Sequence, residues 1–239
     1  MINEIGHHMT QLNLGNAIFE GCNDKEGIMI CGYEWGNSKS DQEQSEELET
    51  DFSIPCTFSN KALRYGEKAK KWTYDNNIKK WFTLWGHALD ESGLGSEFDK
   101  SLVQTNWAIT CNSTVTDYSP FLEPQAIDNF LFHVEKLKPK IIIFIGRQLI
   151  DFLRTDKVLG RFTKIMGTEI SPLKKVQKTE YQDRGTKFNI FFNDFENCKV
   201  ICFPHASGSR GLSDKYIALY KKEMNQILSE FKKEKGIAQ

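Results

Sequence analysis

The run Ile141-Ile142-Ile143-Phe144-Ile145 constrains this chain more than any other stretch. Five apolar residues with no polar alternation read as a strand that must be covered on both faces, which is the signature of a parallel sheet between helical layers. Two other runs share this character, Gly27 to Tyr33 and Lys199 to Phe203. Each breaks off into small and ionisable residues: Gly32-Tyr33-Glu34-Trp35-Gly36 in the first case, Pro204-His205-Ala206-Ser207-Gly208 in the second. Ligands of open α/β sheets bind outside the carboxyl ends of the strands. The two breaks therefore place a carboxylate, Glu34, and an imidazole, His205, where chemistry is expected.

Between these runs the pattern alternates with helices. Ile78, Trp81, Phe82, Trp85, Ala88 and Leu89 recur at three- and four-residue spacing and predict an amphipathic helix over 76–91, closed by Gly93-Leu94-Gly95. Leu102 to Cys111 reads as a strand leading into Asn112. Pro124 to Leu137 reads as a helix stopped by Pro139, and Gly146 turns the chain into a short helix over 148–153. Residues 154–187 look polar and irregular. Phe188 to Phe192 and Lys199 to Phe203 form a hairpin through 193–197, and Ser213 caps a last helix with Ile217, Tyr220, Met224, Ile227, Leu228 and Phe231 inward. The acidic stretch 41–51 reads as a solvated segment. The order predicts one domain over 1–239, a three-layer α/β/α sandwich on a central four-stranded, mainly parallel sheet.

Composition narrows the function classes. With 39% hydrophobic and 26% charged residues the balance is that of an ordinary globular chain. A formal net charge of -1 supplies no global field toward a polyanion, so nucleic-acid contact has to come from a local basic patch. No stretch approaches the roughly 20 apolar residues that span a bilayer, and the first 16 residues lack the pattern of a signal peptide. The expectation is a cytoplasmic monomer with no membrane partner. The cysteines, Cys22, Cys31, Cys56, Cys111, Cys198 and Cys202, include no Cys-x-x-Cys pair. They read as reduced thiols, with Cys31, Cys111 and Cys202 in buried strands, and not as a zinc or iron–sulfur site.

The strand ends together resemble the uracil-DNA glycosylase superfamily. Gly32-Tyr33-Glu34-Trp35-Gly36 is similar to that family's first motif, Gly-x-(Asp, Asn or Ala)-Pro-(Gly or Tyr). His205-Ala206-Ser207-Gly208 is similar to its last, His-Pro-Ser. Thr105-Asn106-Trp107 resembles its strand with a pyrimidine-reading Asn, and Lys138-Pro139-Lys140-Ile141 to Gly146 its apolar strand closed by Gly. The likeness runs from the first strand to the last helix. Trp35 stands where the family has Pro, Ala206 replaces the Pro after the histidine, Glu34 is longer than the usual Asp or Asn, and the cluster-binding cysteines of the iron–sulfur branches are missing.

The resemblance implies hydrolysis of the N-glycosidic bond of uracil, or a related damaged base, in DNA. This is repair of the base-excision type, with the pyrimidine flipped out of the helix and no cofactor or metal. Glu34 would stabilise the sugar cation and hold the water, and His205 would donate to the base oxygen that gains charge. Asn106, or failing it Asn112, would read the base edge. Gly32, Tyr33 and Gly36 would line the pocket, and Phe58 would either stack on the base or simply pack its loop. Ser207, Gly208, Ser209, Arg210, Leu212 and Lys215 would grip the DNA backbone, with Arg210 or Leu212 filling the gap left by the base. This reading needs Glu34 and His205 at one cavity. Two others stand beside it: a nucleic-acid-binding module with altered catalysis, and an esterase using Ser207 or Cys111 with His205.

Overall fold

The computed structural model describes residues 11–36, 51–112, 115–180 and 188–238; all of the acidic stretch 41–51 except Asp51 lies outside them. The strands are β1 (Ile28–Gly32), β2 (Trp35–Gly36), β3 (Leu102–Asn106), β4 (Cys111–Asn112), β5 (Ile141–Ile145), β6 (Lys174–Val176), β7 (Ile190–Phe195) and β8 (Cys198–Phe203). The helices are α1 (Ala62–Tyr65), α2 (Thr73–Leu84), α3 (Glu97–Lys100), α4 (Pro124–Leu137), α5 (Arg147–Leu153), α6 (Asp156–Met166), α7 (Asp214–Ala218) and α8 (Lys221–Lys235), with 3-10 turns at Glu67–Lys71 and Ser119–Leu122.

The main sheet has the order β3-β1-β5-β8-β7-β6. β3, β1, β5 and β8 run parallel, and β7 and β6 extend the sheet antiparallel. The expected parallel core is present, but the sheet has six strands where four were expected. β7 is the hairpin partner of β8. β6 is a three-residue edge strand with exposed Lys174 and Lys175, and charged short edges of this kind carry no hydrophobic pattern to read.

Side-chain alternation sorts the core onto two faces. Met29, Cys31, Val103, Ile142, Phe144, Val200 and Cys202 meet α4, α5 and α6 on one face. Ile28, Ile30, Leu102, Ile143, Ile201 and Phe203 meet α2, α7 and α8 on the other. No side chain of β5 is more than 2% exposed. Each buried aliphatic or aromatic side chain of this size contributes about 1.5–3 kcal/mol, which is why this strand tolerates no polar residue on either face.

Four expectations change in detail. The helix expected over 76–91 runs from Thr73 to Leu84 and is capped at Trp85, so Ala88 is exposed. The strand expected over 102–111 ends at Asn106; Cys111 pairs instead with Trp35 in a separate two-stranded sheet and is exposed. The stretch 154–187 holds α6, whose Val158, Phe162 and Met166 recur every fourth residue on the buried side, although Gly160 and the intervening cations mask the period. The last helix is two, α7 and α8; the Ser213 cap is present, its side chain accepting from the Tyr216 N–H.

The N-terminal segment is clamped through His133 of α4. Its Nε2 accepts from the Asn13 N–H at 2.9 Å, so its Nδ1 carries the proton and donates to the Asn129 carbonyl at 2.6 Å. Burial lowers the His133 pKa, and the same holds for His87 and His205. In each case the unfolded chain takes up a proton, near its ordinary value of about 6.5, before the folded chain does. Stability should be full above about pH 6.5 and fall as pH drops through the lowered folded values. Urea titrations between about pH 7 and 5 should show this loss, with a shallower slope in His133→Gln.

Candidate functional site

The site begins where β1 and β3 end together. Gly32 and Asn106 are register partners, and the Trp107 N–H donates to the Gly32 carbonyl at 2.9 Å. A Cβ on Gly32 would sit 2.5 Å from Asn106 Oδ1 and 3.0 Å from the Tyr74 hydroxyl, so only glycine fits. Asn106 is buried. Its backbone carbonyl accepts from Asn129 Nδ2 at 2.9 Å, while its side chain has no hydrogen-bond partner among the described residues. The sequence placed Asn106 within a longer strand; its position as the terminal strand residue is what turns its amide onto the rim.

His205 lies beyond β8 at the same rim. Its Nδ1 accepts from the Gly208 N–H at 2.9 Å. That bond fixes the tautomer: the neutral ring carries its proton on Nε2 and presents it as a donor. Burial lowers the His205 pKa and keeps the ring neutral at pH 7. The ring lies between two tyrosines, nearly parallel to Tyr33 at 6.0 Å and tilted against Tyr74 at 5.3 Å. The following loop is tied to α2, where Asn77 Nδ2 donates to the Ala206 carbonyl at 2.7 Å.

Tyr33 supports this arrangement. Its hydroxyl donates to Gln148 Oε1 at 2.7 Å and accepts from the Gln148 N–H at 3.0 Å, at the start of α5. Its ring packs on Tyr118 and Phe121. Gly146, at φ +153°, leaves room for that ring, which a Cβ there would overlap. The Tyr33 side chain is thus committed to holding His205 and α5, rather than lining a pocket as expected.

Glu34 turns elsewhere. Its Oε2 accepts from Thr110 Oγ1 at 2.5 Å and from Asn112 Nδ2 at 2.7 Å. It lines a cavity of about 400 Å³ with Ala108, Thr110, Asn112, Asp117, Phe121 and Glu123 among the walls. His205 is not among the lining residues, so the two groups share a sheet edge but not this cavity. Asn112 holds the Glu34 carboxylate and is not free to read a base. The cause is the short β2–β4 ladder, Trp35 with Cys111 and Gly36 with Asn112, which pulls the chain after Gly32 alongside the chain after β3.

Phe58 is 1% exposed. It packs with the α2 side of the core, and Lys61 Nζ stands 5.0 Å from its ring centroid. Lys61 is itself buried; it bonds Asp75 at 2.7 Å and also contacts Gln104 Oε1 on β3. This buried charge network braces Phe58, the start of α2 and β3 from below. In the loop after His205, Ser207, Gly208 and Arg210 are exposed, Ser209 is half-buried, and Leu212 packs partly against the core. Lys215 is exposed on the first turn of α7. Ser207 Oγ lies 3.5 Å from His205 Nδ1, a lone pair already taken by Gly208, so no nucleophile–base pair of esterase type is formed.

Sequence reasoning missed Tyr74, Asn77, Lys61, Asp75 and Gln148. Tyr74 and Asn77 fall three apart on a helix start, a spacing that puts them on one face, but nothing in the pattern says that the face meets the His205 loop. Among the described residues no group of three or more His, Cys, Asp or Glu is placed to hold a metal ion. No described helix is long and apolar enough to cross a membrane. Comparison with protein-family models and with curated protein sequences returned no match. Removing one partner of a buried ion pair leaves the other charge uncompensated. Asp75→Ala should therefore cost about 3–5 kcal/mol in urea unfolding.

Proposed function

We propose that this chain is a DNA glycosylase of the uracil-DNA glycosylase kind, hydrolysing the N-glycosidic bond of uracil or a related damaged base. The observation that carries the reading is the fixed tautomer of His205, whose Nε2–H is left as a donor at the rim that also holds the Asn106 amide, unpartnered among the described residues. Glycosidic cleavage puts negative charge on the leaving base and positive charge on the sugar. A preorganised neutral donor aimed at the base lowers that barrier without itself being desolvated during the reaction. The Asn106 side chain has both a donor and an acceptor and complements the edge of a uracil. A base with the donors exchanged would leave those buried groups unpaired.

The glycosylase reading gives Glu34 the sugar side although the cavity it lines excludes His205, so the assignment stands on the shared sheet edge and not on one common cavity. The second Glu34 carboxylate oxygen, Oε1, has no hydrogen bond among the described residues, and it can hold a water or face a developing cation while Thr110 and Asn112 anchor Oε2. The loop carrying Ser207, Gly208 and Arg210 is exposed beside His205, as a backbone grip requires. Arg210 suits the gap left by the flipped base better than Leu212, which already packs on the core.

One observation favours the alternative, a nucleic-acid-binding module on the same scaffold: Glu34 lines a cavity that His205 does not. Incubation with uracil-containing single-stranded and duplex DNA, followed by alkaline scission, separates the two. Hydrolysis should fall by about 10²–10⁴ in Glu34→Gln and by about 10²–10³ in His205→Ala. Binding without scission, unchanged in Glu34→Gln, would establish the module instead. Arg210→Ala should raise KM for DNA and flatten the dependence of log KM on log salt by about one unit.

A further inference from the structure

The Tyr74 hydroxyl is buried and has no hydrogen-bond partner among the described residues. A polar group left so costs free energy unless something completes it. Its position is informative. It lies 3.0 Å from where a Cβ on Gly32 would stand, and Asn106 Oδ1 lies 2.5 Å from the same point. Its ring contacts His205. Two polar groups from separate elements, α2 and β3, thus converge on Gly32, and the Tyr74 ring extends the contact to His205 in the loop after β8.

We propose that Tyr74 is a further base-binding residue of this site, its hydroxyl donating to a carbonyl oxygen of the bound pyrimidine beside Asn106 and the His205 Nε2–H. The inference rests on the base-binding reading given above and adds a donor to it. Burial, with the Asp75 charge next in weight, pushes the Tyr74 pKa well above the usual phenol value; the group therefore stays protonated and can only donate to an anionic or carbonyl oxygen. Two donors beside the amide match a base with two carbonyls, as uracil has. A ring carrying an exocyclic amine in place of the carbonyl at His205 would face the fixed Nε2–H with a donor, whereas the Tyr74 hydroxyl can also accept.

The test is Tyr74→Phe in the full chain, which keeps the ring against His205 and removes only the hydroxyl. Three readouts are compared with the wild type: urea unfolding without ligand, affinity for free uracil by calorimetry, and affinity for a single strand carrying an abasic site. The expected result is unfolding stability equal to or above wild type, uracil affinity lowered by about tenfold, and unchanged binding of the abasic strand. Loss of stability in Tyr74→Phe would show that the hydroxyl is satisfied within the protein and would overturn the proposal. So would equal uracil affinity in the two proteins; if wild-type excision persists alongside it, the glycosylase reading stands and only the role of Tyr74 falls. A wild type that neither binds uracil nor excises it overturns both.

Discussion

Four parallel strands buried on both faces drive the strand-end polar groups of this chain to the carboxyl-terminal rim, apart from the paired Lys61–Asp75–Gln104 cluster beside β3. Inside the sheet every side chain of β5 is sealed from water, and an unpaired polar atom there would cancel what at least one buried side chain contributes. At the rim the ladder ends and helices begin, so backbone groups and side chains can be turned outward. Gly32, Asn106, Gly146 and His205 stand at or just beyond the ends of β1, β3, β5 and β8. Their proximity follows from parallel register.

Around that rim, rigidity comes from residues that would touch no ligand. Gln148 anchors the Tyr33 hydroxyl, and Gly146 leaves room for the Tyr33 ring, which in turn lies along His205. Asn77 holds the loop after His205 to α2. Lys61 and Asp75 lock the start of α2 to β3. A donor held in this way loses little orientation energy when charge appears in front of it, which is the physical advantage of a preorganised site. Among the described residues, the Tyr74 hydroxyl and the Asn106 amide are the groups beside Gly32 that this packing leaves without a partner.

Much of the scaffold was legible in the chain itself. The run 141–145 has no polar residue on either face and could only be a covered parallel strand. The helix 124–137 was bounded by its two prolines and its period. α6 was hidden because Gly160 and the surrounding cations obscured a stripe of three residues, and β6 because an exposed three-residue edge has no periodicity. The region after β3 was misread as continuous strand, since Trp107 and Ala108 are as buried as the strand before them; burial continued after the ladder had stopped.

For the site, the sequence alone determined that Glu34 and His205 follow strand ends, because each comes after an unbroken apolar run, whereas Asn106, preceded by Gln104 and Thr105, was read inside a longer strand. Only the tertiary structure decided which way those residues face. A two-residue ladder, β2 with β4, turned Glu34 toward Thr110 and Asn112, and a packed helix brought Tyr74 to Gly32. The physical reason is range. Strand character is a local property of consecutive side chains, whereas the direction of a group just past a strand depends on hydrogen bonds to residues 76 and 78 positions away.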